Sequence, residues 1–156
     1  MDYEIAAAIA EIVGAIAVVI TLMYLAMQIR EQTKQAKSAA MHDMSVGFRG
    51  VIAGIGDASV AKLFIKGRES VDELTDVELL QLLAHCQCIF RFWEEAYYLY
   101  LSGKLEGETW EGMNRLFLSM MSVKIFGHAW EMRREYYGDV FREMIDESKK
   151  GDWQLR

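Results

Sequence analysis

The sequence predicts an all-α protein: an N-terminal transmembrane helix that continues into a cytoplasmic helical bundle of about four to five helices. Three observations carry that prediction. From Ile5 to Ile29 the chain reads IAAAIAEIVGAIAVVITLMYLAMQI, 25 residues with a single charge, Glu11. The 156 residues include no proline, the residue most damaging to a helix interior, and ten methionines, which fill helical cores readily. No segment alternates apolar and polar residues over several positions, and no Asn-Gly or Asp-Gly hairpin signal occurs. The expected organisation is a short tail and transmembrane helix over 1–29, a juxtamembrane helix over 30–56 and a cytoplasmic helical domain over 57–156.

At 1.5 Å per residue the apolar run is roughly 37 Å long, against a hydrocarbon core of about 30 Å. The part from Ile12 to Met27, between Glu11 and the polar Gln28, covers only about 24 Å, which puts Glu11 near one interface. Two plainer accounts fit less well. A cleaved signal peptide needs a basic start and a small-residue cleavage site, but residues 1–11 hold Asp2, Glu4 and Glu11 and no Lys or Arg. A buried core helix of 25 apolar residues is too long for so small a domain. Beyond the run come Arg30, Lys34 and Lys37 against Glu31, so the positive-inside rule places the N-terminus outside and the C-terminal domain in the cytoplasm. In a bacterium the membrane is the inner one.

Glu4 and Glu11 are seven residues apart and share a helix face, which Gly14 and Val18 continue. Ala6, Ala10 and Gly14 form a small-xxx-small series that lets helices approach closely. An acid in a span usually faces a partner or water. This is the candidate pore or oligomer face. A ring of Glu11 side chains in an oligomer would select cations. The plainer account is an acid that snorkels to the outer interface beside small residues that merely pack.

Residues 30–46 are polar helix formers without a breaker, so the helix is expected to continue past the membrane. Six basic residues against three acidic ones over 30–67 make a collar that acidic lipid head groups attract, or an ordinary positive-inside bias. Glycines 47, 50, 54 and 56 match no phosphate-loop pattern and predict close helix packing followed by a turn at Gly56-Asp57. Asp57 or Ser59 is the expected cap of a short helix through Lys66, with Gly67 as its stop. Thr75-Asp-Val-Glu78 is a capping box that opens a helix to about Ser102, stopped by Gly103. Its stripe of Leu79, Leu82/Leu83, Cys86, Phe90, Trp93, Tyr97 and Tyr100 makes it the expected centre of the core. Thr109 is the expected cap of a helix over 110–121. A further helix is read over 123–137, and Asp139 is read as the cap of a last one to about Lys149.

Chemistry is sparse. His85-Cys86-Gln87-Cys88 places His85 and Cys88 on one helix face, but a zinc site needs three or four ligands and only His42 and His128 remain. Buried structural cysteines are the expected reading, and neither a metal nor a cofactor is implied. No histidine has a glutamate three residues before it, and HExxH, GxSxG and CxxC are absent, so no catalytic residue is assigned. Arg91 and Glu95 are spaced to pair. Arg91, Glu94 and Arg133 form a candidate buried polar network, with Arg134 or a tyrosine hydroxyl as further partners. Trp110, Trp130, Tyr136, Tyr137 and Phe141 read as core residues rather than a docking surface. A net charge of −6 and a pI near 5.1 argue against a nucleic-acid binder.

The run AEIVGAIAVVITLMYLAMQIREQTKQ, then Phe90-Arg-x-x-Glu94-x-x-Tyr97, Gly103-x-Leu105, Trp110-x-Gly112, Trp130-x-x-Arg133 and Phe141-Arg142, resembles an uncharacterised family of small bacterial membrane proteins. The resemblance covers nearly the whole chain. It implies one N-terminal span, a helical cytoplasmic domain and the inner membrane, and it brings no activity, cofactor or catalytic residue. The expected function is therefore non-enzymatic. The helical domain mediates assembly, as a homo-oligomer or an accessory subunit of a larger membrane complex, with membrane lipid and other membrane subunits as partners. The alternative is a homo-oligomeric ion channel with a Glu11 ring near its mouth. A third is a pocket for a small apolar ligand between the cytoplasmic helices, for which a cavity lined by Arg91, Glu94 and tyrosines would speak.

Overall fold

The computed structural model describes residues 2–149 and 151. Helices account for almost all of them: α1 Asp2–Gly56, α2 Ala58–Glu69, α3 Asp76–Leu101, α4 Gly107–Met120, α5 Lys124–Arg133 and α6 Asp139–Glu147, with a 3-10 turn at Arg134–Tyr136. No strand occurs among the described residues. The chain divides into two units, Met1–Ala39 and Ala40–Arg156.

The first unit is helical in its described part, and every side chain from Tyr3 to Ala39 is exposed. Helix α1 is long and apolar enough to cross a membrane, and none of its most apolar window is buried. Three polar side chains along it close hydrogen bonds on the same helix. Thr21 Oγ1 donates to the Ala17 carbonyl at 2.8 Å, Gln28 Nε2 to the Tyr24 hydroxyl at 2.9 Å and Thr33 Oγ1 to the Ile29 carbonyl at 2.8 Å. A helix in hydrocarbon needs such internal satisfaction, because no water is there to supply it.

The second unit forms around α3, which packs against α2, α4 and α5. Leu82, Leu83, Cys86, Phe90 and Trp93 of the expected stripe are buried. Ile89, Phe92 and Ala96 are buried as well, which the stripe did not include. A central helix is covered on more than one face: Phe92 meets Phe48 of α1 at 6.1 Å and Phe117 of α4 at 6.1 Å, while Phe90 meets Trp130 of α5 at 5.4 Å. Tyr100 falls outside the core at 38% exposure and stacks on Trp110 at 5.5 Å. Gly47 is where α1 comes close to α3, since a Cβ there would stand 2.9 Å from the Phe92 ring.

Local signals set most helix ends. Asp57 Oδ1 accepts the Ser59 and Val60 amides at 2.8 and 3.4 Å and caps α2. The Thr75 box is closed in both directions, with the Glu78 amide on Thr75 Oγ1 at 3.4 Å and the Thr75 amide on Glu78 Oε2 at 2.8 Å. Gly103 turns the chain out of α3 at φ 69°, and the Lys104 amide then donates to the Leu99 carbonyl at 2.9 Å.

Four boundaries differ from expectation. Gly67 does not stop α2, which runs to Glu69. It lies buried under α3 and α5, where a Cβ would stand 3.0 Å from Leu82 Cδ1 and 3.3 Å from Ile125 Cβ, so it is a packing residue. Thr109 is not a cap, because α4 begins at Gly107 and the Trp110 amide already bonds the Glu106 carbonyl at 3.0 Å. The helix read over 123–137 ends at Arg133, whose φ −124° and ψ −4° tighten the chain into the 3-10 turn. That turn brings Tyr137 back onto Trp130, with ring centroids 5.5 Å apart. Gly138 rather than Asp139 is the N-cap of α6, which ends at Glu147.

The capping box carries a charge as well. Lys66 Nζ donates to Glu78 Oε2 at 2.8 Å, and this bond, with those from Thr75, lowers the Glu78 carboxyl from 4.5 to about 2. A depressed carboxylate stabilises the fold above its unfolded pKa and loses that effect as the pH falls through the folded one. The stability difference between the parent and Glu78→Gln is therefore expected in full above pH about 4.5 and to vanish as the pH falls through about 2. Denaturant melts across that range check it, and a difference independent of pH would contradict it.

Candidate functional site

Two groups of residues stand out, one in each unit. The first is the helix face of Glu4, Glu11, Gly14 and Val18. All four are exposed. A Cβ on Gly14 would meet nothing within 4 Å, so no neighbour on this chain uses the small face. The apolar residues around it are as bare: Ile9 is 57% exposed, Ile16 54% and Ile20 61%. Each exposed side chain of this size forgoes about 1.5–3 kcal/mol of burial.

The second group is the polar cluster on α3. Glu94 is buried among aromatic side chains and is fully engaged. One carboxylate oxygen, Oε2, accepts Arg91 Nη1 at 2.6 Å, and the other, Oε1, accepts the Gly138 amide at 2.8 Å. Arg91 Nη2 donates to the Tyr136 carbonyl at 2.8 Å, and its guanidinium lies 4.5 Å from the Tyr137 ring centre. The pair thus ties the turn between α5 and α6 to α3. Arg91 bonds Glu94, three residues on, and not Glu95 as the spacing suggested. Arg133 does not join them. Its Nη1 donates to Gln87 Oε1 at 3.4 Å and its guanidinium lies 5.9 Å from the Tyr136 ring centre, while Arg134 pairs with Asp146.

Burial sets the protonation of the groups nearby. The Tyr137 hydroxyl is pushed up to about 12, chiefly by desolvation, with the positive charge of Arg91 opposing. That hydroxyl and Trp130 Nε1 are buried without a hydrogen-bond partner among the described residues. Cys86 is likewise pushed up to about 12 by burial, so it is a neutral thiol and a poor nucleophile. Cys88, expected in the core, is exposed instead. The α3 register points Cys88 and His85 toward the glycine face of α1, where they line a cavity of about 370 Å³ with Gly47, Gly50 and Gly54. Among the described residues no three His, Cys, Asp or Glu side chains converge. Arg91 and Glu94 line neither this cavity nor the apolar one of about 220 Å³ beside Phe64, Arg68, Val123 and Phe126.

The cluster is a structural tie by its geometry. Hydrogen bonds to a charged partner contribute about 1.5–3 kcal/mol each. Glu94→Ala is expected to lower the unfolding free energy by about 2 kcal/mol. Arg91→Ala is expected to cost less, because its guanidinium is half-exposed and screened. Equilibrium denaturation of the two variants checks the order, and equal losses would count against the Gly138 bond as the main element.

Compared with protein-family models, with curated proteins and with solved structures, the chain matches none.

Proposed function

We propose that this chain is a single-span protein of a bacterial inner membrane whose helical domain mediates assembly, as a homo-oligomer or as an accessory subunit of a larger membrane complex. The observation that carries the reading is the bare apolar surface of α1. From Tyr3 to Ala39 no described side chain is covered, and Thr21, Gln28 and Thr33 bond within the helix. Lipid is the solvent that suits such a surface. The acids before the span and the Arg30, Lys34 and Lys37 cations after it favour an outer N-terminus and a cytoplasmic domain. Assembly is supported by the unused face of Ala10 and Gly14. Apolar residues bare on the second unit add to it, among them Leu80 at 64% and Met132 at 52% exposure.

A second reading, a cation-conducting homo-oligomer, is favoured by one observation. Glu11 makes no hydrogen bond or ion pair with another described residue, so its carboxylate is available to a pore or a neighbouring helix.

Gentle extraction from the native membrane, with the particle's mass and components determined, tests both. A closed ring of this chain alone is expected for the homo-oligomer, and cation flux in proteoliposomes that Glu11→Ala abolishes would make the ring a channel. Co-purification in fixed ratio with larger subunits would make it an accessory protein. A lone monomer would defeat the assembly reading.

A further inference from the structure

A second property follows from the two residues of α3 that face the glycines of α1. His85 and Cys88 line one cavity of about 370 Å³ with Gly47, Gly50 and Gly54, all within the unit that begins at Ala40. Cys88 is exposed and His85 is half-buried. Neither side chain makes a hydrogen bond or ion pair with another described residue. An imidazole and a thiol thus share one cavity with their donor atoms unused.

Residues three apart on a helix have Cβ atoms about 5–6 Å apart. Metal bonds of about 2.0 Å from an imidazole nitrogen and about 2.3 Å from a thiolate bridge such a gap. The Glu-x-x-His pairs of di-iron bundles place two ligands on one metal at this same spacing. Helical side chains lean toward the N-terminus, which carries the Cys88 thiol over the turn that holds His85. Glycine keeps the opposite wall low. A Cβ on Gly54 would stand 3.4 Å from His85 Nδ1, and one on Gly50 would meet nothing within 4 Å.

The donor set selects the ion. Thiolate is a soft ligand that favours Cu(I), imidazole suits copper as well, and a cuprous ion is complete with two or three ligands. Zinc takes four, and among the described residues no three His, Cys, Asp or Glu side chains converge. Calcium and magnesium need oxygen ligands, which neither side chain offers.

We propose that His85 and Cys88 bind one cuprous ion in this cavity, between α3 and the glycine face of α1. The copper–sulfur bond forms as the Cys88 thiol gives its proton to solvent, and the copper remains Cu(I) throughout. The site belongs to the helical unit and does not depend on the membrane reading of α1.

The test uses the full chain in detergent micelles, without oxygen and with ascorbate, and titrates Cu(I) in competition with the chromogenic chelator bathocuproine disulfonate. One Cu(I) per chain is expected, bound more tightly as the pH is raised, because a thiol proton is released. Cys88→Ser and His85→Gln are each expected to weaken binding at least tenfold. His42→Gln and His128→Gln, exposed on other helices, are expected to leave it unchanged. X-ray absorption of the loaded parent is expected to show one sulfur and one imidazole nitrogen on the copper, a readout that holds even if His85→Gln fails to fold. No stoichiometric binding in the competition, binding that survives both variants, or a copper with two or more sulfurs would overturn the site. Binding lost in Cys88→Ser but unchanged in His85→Gln would reduce it to a lone thiol and overturn the pair. Zn(II) held as tightly as Cu(I) would overturn the choice of ion.

Discussion

On the proposed single-span reading, replacing Ile16 and Ile20 together by arginine is expected to release the protein from the membrane. Both residues lie near the middle of the apolar run, and both are bare, at 54% and 61% exposure. An arginine at the centre of a span costs about 2.5–3.5 kcal/mol on insertion, so the pair costs about 5–7 kcal/mol. At 1.4 kcal/mol per decade that is a shift of roughly four orders of magnitude in the insertion equilibrium. The substitutions touch no core contact, because every side chain from Tyr3 to Ala39 is exposed. Circular dichroism and cooperative melting of the second unit are therefore expected to survive. The measurement is the fraction that stays with membranes after an alkaline carbonate wash. A parent protein found in the soluble fraction would remove the span from the proposal. A double variant still embedded would show that a protein partner, not lipid, covers this helix.

Truncating Trp93 is the largest single loss expected in the helical unit. Its indole is wholly buried, at 0% exposure, and touches two other helices. It meets Phe141 of α6 edge-on at 5.4 Å and Phe117 of α4 at 5.4 Å, and its Nε1 donates to Asn114 Oδ1 at 3.0 Å. Trp93→Ala removes those contacts and leaves a cavity, at a cost of about 3–5 kcal/mol. Native domains are stable by only about 5–15 kcal/mol, so this one change removes roughly a fifth or more of the total. Trp93→Phe keeps a ring and loses the bond to Asn114, so a smaller loss is expected, about 1–2 kcal/mol. Chemical denaturation gives both values. A Trp93→Ala loss under about 1 kcal/mol would mean that the aromatic cluster does not anchor α4 and α6 to α3.

The sequence by itself determined what depends on near neighbours. A 25-residue apolar run announces a long bare helix because its length and composition are local quantities. The caps at Asp57 and Thr75 and the exit at Gly103 are settled within about four residues, so spacing is enough to read them. The choice of α3 as the centre was legible for the same reason, since its apolar period repeats along one stretch of chain.

The tertiary structure decided whatever needed a partner from far along the chain. Gly67 is a terminator by local rules and a packing residue in fact, because Leu82 and Ile125 press on it from other helices. Phe92 lies off the apolar stripe read from the sequence, and Phe48 and Phe117 cover it. Arg91 and Glu94 were legible as members of a candidate polar network, yet their role came from the Gly138 amide and the Tyr136 carbonyl, more than forty residues away. Arg133 meets Gln87, forty-six residues away, which no local pattern marks. The apolar cavity beside Arg68 is the furthest from the sequence, since four separate segments supply its walls. Local rules fix which residues form helices, and only packing fixes which face each helix presents and what space is left between them.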